Sequence, residues 1–137
     1  MLTINDLNGD YVTRDRLLFG EYSPNYYFGG IRKYRCSPGM IKKLLEMNFV
    51  NPKETQNESP SVEEFLDYLE DVPEVTFNGY VVSPERSDYR VSIEGFDVEI
   101  PDTEVDRMCE LVKMFRDADE FNLIHDANTF FLHAWWD

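Results

Sequence analysis

The chain has 137 residues, 42% apolar and 15% aromatic, with a formal net charge of −14; it is too apolar for a disordered acidic tail and long enough to bury a core. No apolar run of about 18 residues is present, so no span of a membrane is expected. The charge is split by position: residues 1–60 net +1 and residues 61–137 net −15, a field that repels phosphate and anionic lipid and attracts basic partners.

One α+β domain over 1–137 is the natural reading, with a near-neutral part (1–60) and a strongly acidic part (61–137). Cys36 and Cys109 are isolated thiols without a CxxC partner. The first residues lack the basic start and apolar stretch of a signal peptide. A reduced, cytoplasmic location is the expectation.

Residues 1–24 give little pattern beyond a single turn over 3–9, with Thr3 as cap and Gly9 closing it. Residues 25–28 and 31–35 are strand-like, interrupted by Gly29-Gly30, which predicts a bulge or tight turn. Ser37-Pro38 opens a helix over 38–47, whose inner stripe is Met40, Ile41, Leu44 and Leu45. Residues 51–60 read as an exposed polar connection. Ser61 and Glu64 then form a capping box for a helix over 61–70, with Val62, Phe65, Leu66 and Leu69 inward.

From Val75 the period changes to two. Three half-buried strands of a meander are predicted over 75–82, 89–94 and 96–100, with Gly95 as punctuation. Asp102 is placed as the cap of a helix over 103–116, with Val105, Met108, Cys109, Val112 and Phe115 inward. A last hairpin pairs 120–124 with 129–136 around Asp126-Ala127-Asn128. The expected architecture is an antiparallel sheet of four to six strands with helices on one face, in the order (β)-α-α-β-β-β-α-β-β. Its core is expected to hold Val91, Ile93, Val98, Val112 and Phe115.

Alternation puts Phe130, Leu132, Ala134 and Trp136 on one side of the last strand and Phe131, His133 and Trp135 on the other. Both sides are apolar or aromatic, so the second must be covered by residues 1–24 or a second copy, or serve as a binding face. The candidate face is Phe131, His133 and Trp135 with Tyr80 and Arg90, and the acids Glu94, Asp97 and Glu99 for a basic partner.

Other sites are weaker. His125, Asp126 and His133 would form a metal site if the hairpin brought them together, but no third ligand stands at diagnostic spacing, so no cofactor is called for. Cys36, just before a helix N-terminus, has features that favour a thiolate, yet an inert thiol is the expectation. The pair of helices at 38–70 is joined by too long a connection for a helix-turn-helix, and the second is acidic. Asp117-Ala118-Asp119 lacks the glycine and glutamate of a calcium loop, and Gly29-Gly30 has no phosphate-loop context. The basic cluster Arg32, Lys33, Arg35, Lys42 and Lys43 is read as neutralising the domain's own acidic surface, or as one pole of head-to-tail self-association.

In composition alone the chain resembles small acidic interaction proteins, such as immunity proteins that neutralise basic nuclease toxins and DNA mimics that block nucleases. The resemblance implies a non-enzymatic inhibitor with a basic protein partner. The alternatives are a small metal-dependent enzyme using His125, Asp126 and His133, and a homo-oligomeric accessory domain, a homodimer through the last strand. Neither nucleic acid nor membrane is an expected partner.

Overall fold

The computed structural model describes residues 7–137, and the expected turn capped by Thr3 lies outside the described residues in part. Four α-helices and five strands follow in the order α1 (Tyr11–Phe19), β1 (Ile31–Cys36), α2 (Pro38–Glu46), α3 (Val62–Leu69), β2 (Glu74–Val82), β3 (Val91–Pro101), α4 (Val105–Phe115), β4 (Glu120–Asp126) and β5 (Thr129–Trp135). The strands form one antiparallel sheet in the order β1-β2-β3-β5-β4. This is the α+β architecture expected. Among the described residues no helix is long and apolar enough to cross a membrane.

The helix starts follow their chemistry. Ser37 accepts a hydrogen bond from the Met40 amide, with Pro38 at the first helical position, where its missing N–H costs nothing. Ser61 and Glu64 make both bonds of a capping box. Val62, Phe65, Leu66 and Leu69 are buried, and Phe65 is the hub of the core. Its ring centroid lies 5.8 Å from Phe77, 6.1 Å from Phe96, 5.4 Å from Trp136 and 6.4 Å from Phe115. Val91, Ile93, Val98 and Phe115 are buried as expected, and Val112 is partly buried against them.

Gly95 does not separate two strands. β3 runs through it for eleven residues. Asn78 pairs with Gly95 and Gly79 with Ile93, which leaves Glu94 as one extra residue on β3. This bulge moves the inward positions from Val91 and Ile93 to Phe96, Val98 and Ile100, a phase change that reads in sequence as a break. A Cβ on Gly95 would lie 2.2 Å from the Ala134 carbonyl oxygen, so only glycine permits the β3–β5 approach there. The Gly29-Gly30 expectation is met by a tight turn: both glycines have positive φ (62° and 79°), and Phe28 and Ile31 exchange backbone hydrogen bonds across them. Ala127 and Asn128, at φ 50° and 64°, make the β4–β5 turn, the left-handed pair a two-residue hairpin needs.

Several expectations need correction. Residues 11–19 form a helix, capped by Asp10 and closed by Gly20 at φ 81°. Their signal was hidden because α1 buries charge in place of an apolar stripe: Arg14 and Asp15 are fully buried and paired at 2.9 Å. Tyr27 completes the cluster, donating to Asp15 Oδ2 at 2.5 Å and accepting from Arg14 Nη2 at 2.6 Å. Residues 24–26 form a single 3-10 turn where extended chain was expected, because Ser23 caps it and Pro24 starts it.

α4 buries Met108, Leu111 and Phe115, while Cys109 and Val105 are exposed. The spacings 105/109/112 and 108/111/115 are both helical, and the sheet accommodates one of them. Asp102 makes no capping bond, since Asp102–Glu104 is a 3-10 turn without a side-chain cap. The 51–60 connection exposes Lys53, Thr55, Asn57 and Glu58, in line with the expectation, and it is also tied down: Val62 donates to Glu54, Glu63 to Pro52 and Ser59 to Gln56 through the backbone, and the Tyr80 hydroxyl donates to Gln56 Oε1 at 2.7 Å.

Candidate protein-binding face

On the sheet face turned away from α2, α3 and α4 the strand register sets three rows of side chains that reach β5 and β4, and a further row, Lys33, Tyr80 and Ser92, that stops at β3. The first row is Arg35, Asn78, Gly95, Trp135 and Glu120; the second is Thr76, Asp97, His133 and Asn122; the third is Glu74, Glu99, Phe131 and Ile124. Glu94, on the bulge, joins this face. Leu132, Ala134 and Trp136 alternate to the other side and are buried in the core, as the sequence pattern requires.

The rows differ in how their charges are met. Glu94 accepts from Lys33 Nζ at 2.5 Å and from Trp135 Nε1 at 3.2 Å, and it is nearly buried. Asp97 accepts from Asn78 at 2.8 Å, from His133 Nδ1 at 2.7 Å and from Arg35 at 3.4 Å. These two acids are neutralised within the molecule, by cations of the β1 cluster. Lys33 and Arg35 therefore fit the self-neutralising reading of that cluster; Arg32 instead lies over the Phe19 ring at 3.5 Å and the Tyr26 ring at 4.5 Å.

The third row is different. Glu74 and Glu99 stand directly opposite each other on neighbouring strands, both exposed, and neither belongs to an ion pair among the described residues. Like charges directly opposite across two strands oppose folding. Beside them Phe131 is 36% and Ile124 59% exposed. Together with Arg35, Asp97, Glu99 and His133 these two line a groove of about 370 Å³; Arg35 is bonded there to Asp97, not to Glu99. The arrangement offers a place for a cation between two carboxylates and, next to it, apolar surface to desolvate.

The predicted site residues are thus divided. Glu99, Phe131 and His133 meet at the groove. Trp135, half-buried, lies one row away and is held by Glu94. α1 packs against β1 and α2, so this helix is placed elsewhere than over the aromatic side of the last strand. Tyr80 and Arg90 are removed from the groove: Tyr80 is buried, accepting from Arg90 Nη2 at 2.8 Å. Arg90 also donates to Asp88 and Ser92. Glu74 and Ile124 carry no signal in the sequence pattern: Glu74 stands one position before the period-two run that starts at Val75, and Ile124 reads only as part of a hairpin; the signal for both is the cross-strand register.

The histidines do not come together. His125 pairs with Phe130 and His133 with Asn122, which puts them on opposite faces. His125 packs on Phe130 with ring centroids 4.6 Å apart and planes tilted by 33°, and it donates to Asp102 at 3.0 Å. No group of three or more His, Cys, Asp or Glu is arranged to hold a metal ion among the described residues. The Cys36 thiol is pushed up to about 12 by burial, which opposes the thiolate its position suggested. β5 is flanked by β3 and β4, so strand pairing between copies would fall to an edge other than the last strand. Comparison with known proteins finds no matching family model, no matching curated protein and no matching solved structure.

Proposed function

We propose that this protein is a non-enzymatic binding domain that engages a basic protein partner through the sheet face carrying Glu74, Glu99, Phe131 and Ile124. One observation carries the reading: two exposed carboxylates are held opposite each other with no cation paired to either among the described residues, directly beside two exposed apolar side chains. A lysine or arginine of the partner relieves the repulsion between the acids, and an apolar neighbour covers Phe131. The −15 of residues 61–137 steers such a partner toward the surface. An inhibitor that occupies the basic surface of a nuclease or toxin is one role of this class.

Affinity capture from the native host at low and high salt tests the reading, with the wild-type chain and a Glu74→Gln/Glu99→Gln variant as baits. A basic protein retained at low salt, released at high salt and weakly held by the variant is the expected result. Capture indifferent to salt and to both substitutions contradicts it.

A further inference from the structure

The two edges of the sheet are treated differently. β1 carries Arg32, Lys33 and Arg35 and has α1 packed against it, the usual devices that block an edge from pairing with other chains. β4 has no such cation and carries its acids, Glu120 and Asp126, only at its two ends. Its sequence, Glu120 to Asp126, contains no proline, no lysine and no bulge, and its register with β5 is unbroken over seven residues. Among the described residues no strand pairs with its far side. All of β4 except Phe121 is exposed, including Leu123 at 44% and Ile124 at 59%. Leu123 alternates to the helix side and Ile124 to the groove side, so an added strand would find apolar surface above and below.

Charge selects what can be added. Two copies of β4 paired antiparallel over their full length set Glu120 of one against Asp126 of the other at both ends. Like charges directly opposite disfavour that pairing, and the net charge of −14 on each copy adds to it. The same two acids favour a strand with cations at its ends. We propose that the edge of β4 takes an extended segment of the basic partner by strand addition, with apolar residues opposite Leu123 and Ile124 and Lys or Arg opposite Glu120 and Asp126. This rests on the basic-partner reading and names the form in which that partner binds. Ile124 belongs to both surfaces, so the added strand extends the row Glu74, Glu99, Phe131, Ile124 by one position.

The test is amide hydrogen exchange of the isotope-labelled full chain with three blocked seven-residue peptides. One has lysine at both ends, valine at the two positions that stand opposite Ile124 and Leu123, and threonine at the other three. The second is the same peptide with every backbone amide N-methylated, which leaves charge and side chains but removes the donors of both hydrogen-bonding edges. The third has glutamate in place of lysine.

The expected result is that the first peptide slows exchange of the β4 amides that face away from β5 by at least about ten-fold. The N-methylated and glutamate peptides leave them unchanged, since the lost backbone bonds or reversed charges remove the gain. Leu123→Lys, an exposed position that tolerates the change, is expected to abolish the protection, whereas Phe131→Ala retains most of it. If the lysine peptides perturb Glu99 and Phe131 but leave β4 exchange unaltered, strand addition is wrong and the basic-partner reading stands. Equal protection by the lysine and glutamate peptides overturns the proposed chemistry and counts against the basic-partner reading too.

Discussion

At the scale of single residues, the opposition of Glu74 and Glu99 connects stability to binding. Removing one charge relieves the repulsion in the free protein, so Glu99→Gln is expected to raise the unfolding free energy by about 0.2–1 kcal/mol, measured by urea denaturation, while weakening partner capture. A structural role for the carboxylate would move both quantities downward. Asp88 behaves in the opposite sense. Hydrogen bonds from Arg86 and then Arg90 hold its carboxyl at about 2, below the ordinary 3.8. A depressed folded-state value stabilises fully above 3.8 and is lost as the pH falls through about 2. Asp88→Asn is therefore expected to lower the melting temperature near neutral pH, and the gap to the wild type should close as the pH approaches 2. A gap that stays constant with pH would assign the effect to something other than the carboxylate charge.

At the scale of elements, the sequence was most readable where local chemistry and burial agree. The capping box at Ser61, the Ser37-Pro38 start and the alternation of β5 all appear in the structure because each depends on neighbours in the chain. α1 was unreadable because its buried groups are Arg14 and Asp15, residues that pattern analysis assigns to solvent. Its attachment depends on a desolvated pair, so breaking that pair should be costly. Asp15→Ala leaves the Arg14 guanidinium buried with Tyr27 and the Val82 carbonyl as its remaining hydrogen-bond partners. The expected loss is about 3–5 kcal/mol in equilibrium unfolding; a loss below about 1 kcal/mol would show that α1 contributes little to the fold. The bulge at Glu94 was unreadable for a different reason. A one-residue phase change and a strand end look alike in a period-two pattern, and only the pairing with β2 and β5 separates them.

At the scale of the whole molecule, the charge asymmetry that dominates the sequence is sorted by the fold into neutralised and unneutralised parts. β1 supplies Lys33 and Arg35 to Glu94 and Asp97, so these two acids already have cationic partners within the molecule. Reversing either would damage the fold before it informed on binding. Glu99, like Glu74 opposite it, is suited to charge reversal, and Phe131 is the apolar residue suited to truncation. Trp135 is half-buried and bonded to Glu94, so its loss would mix stability with binding. The site was therefore half-readable: composition and alternation identify the face, while the choice among its residues needs the register that pairs Glu74 with Glu99 and Phe131 with Ile124. The central claim, that exposed acid beside apolar surface engages a basic protein, is tested most directly by the association rate of the captured partner as a function of ionic strength, for the wild type and Glu99→Lys. The wild-type rate should fall steeply with salt, and the variant should associate more slowly with a flatter dependence; superimposable rates at every ionic strength would contradict the account.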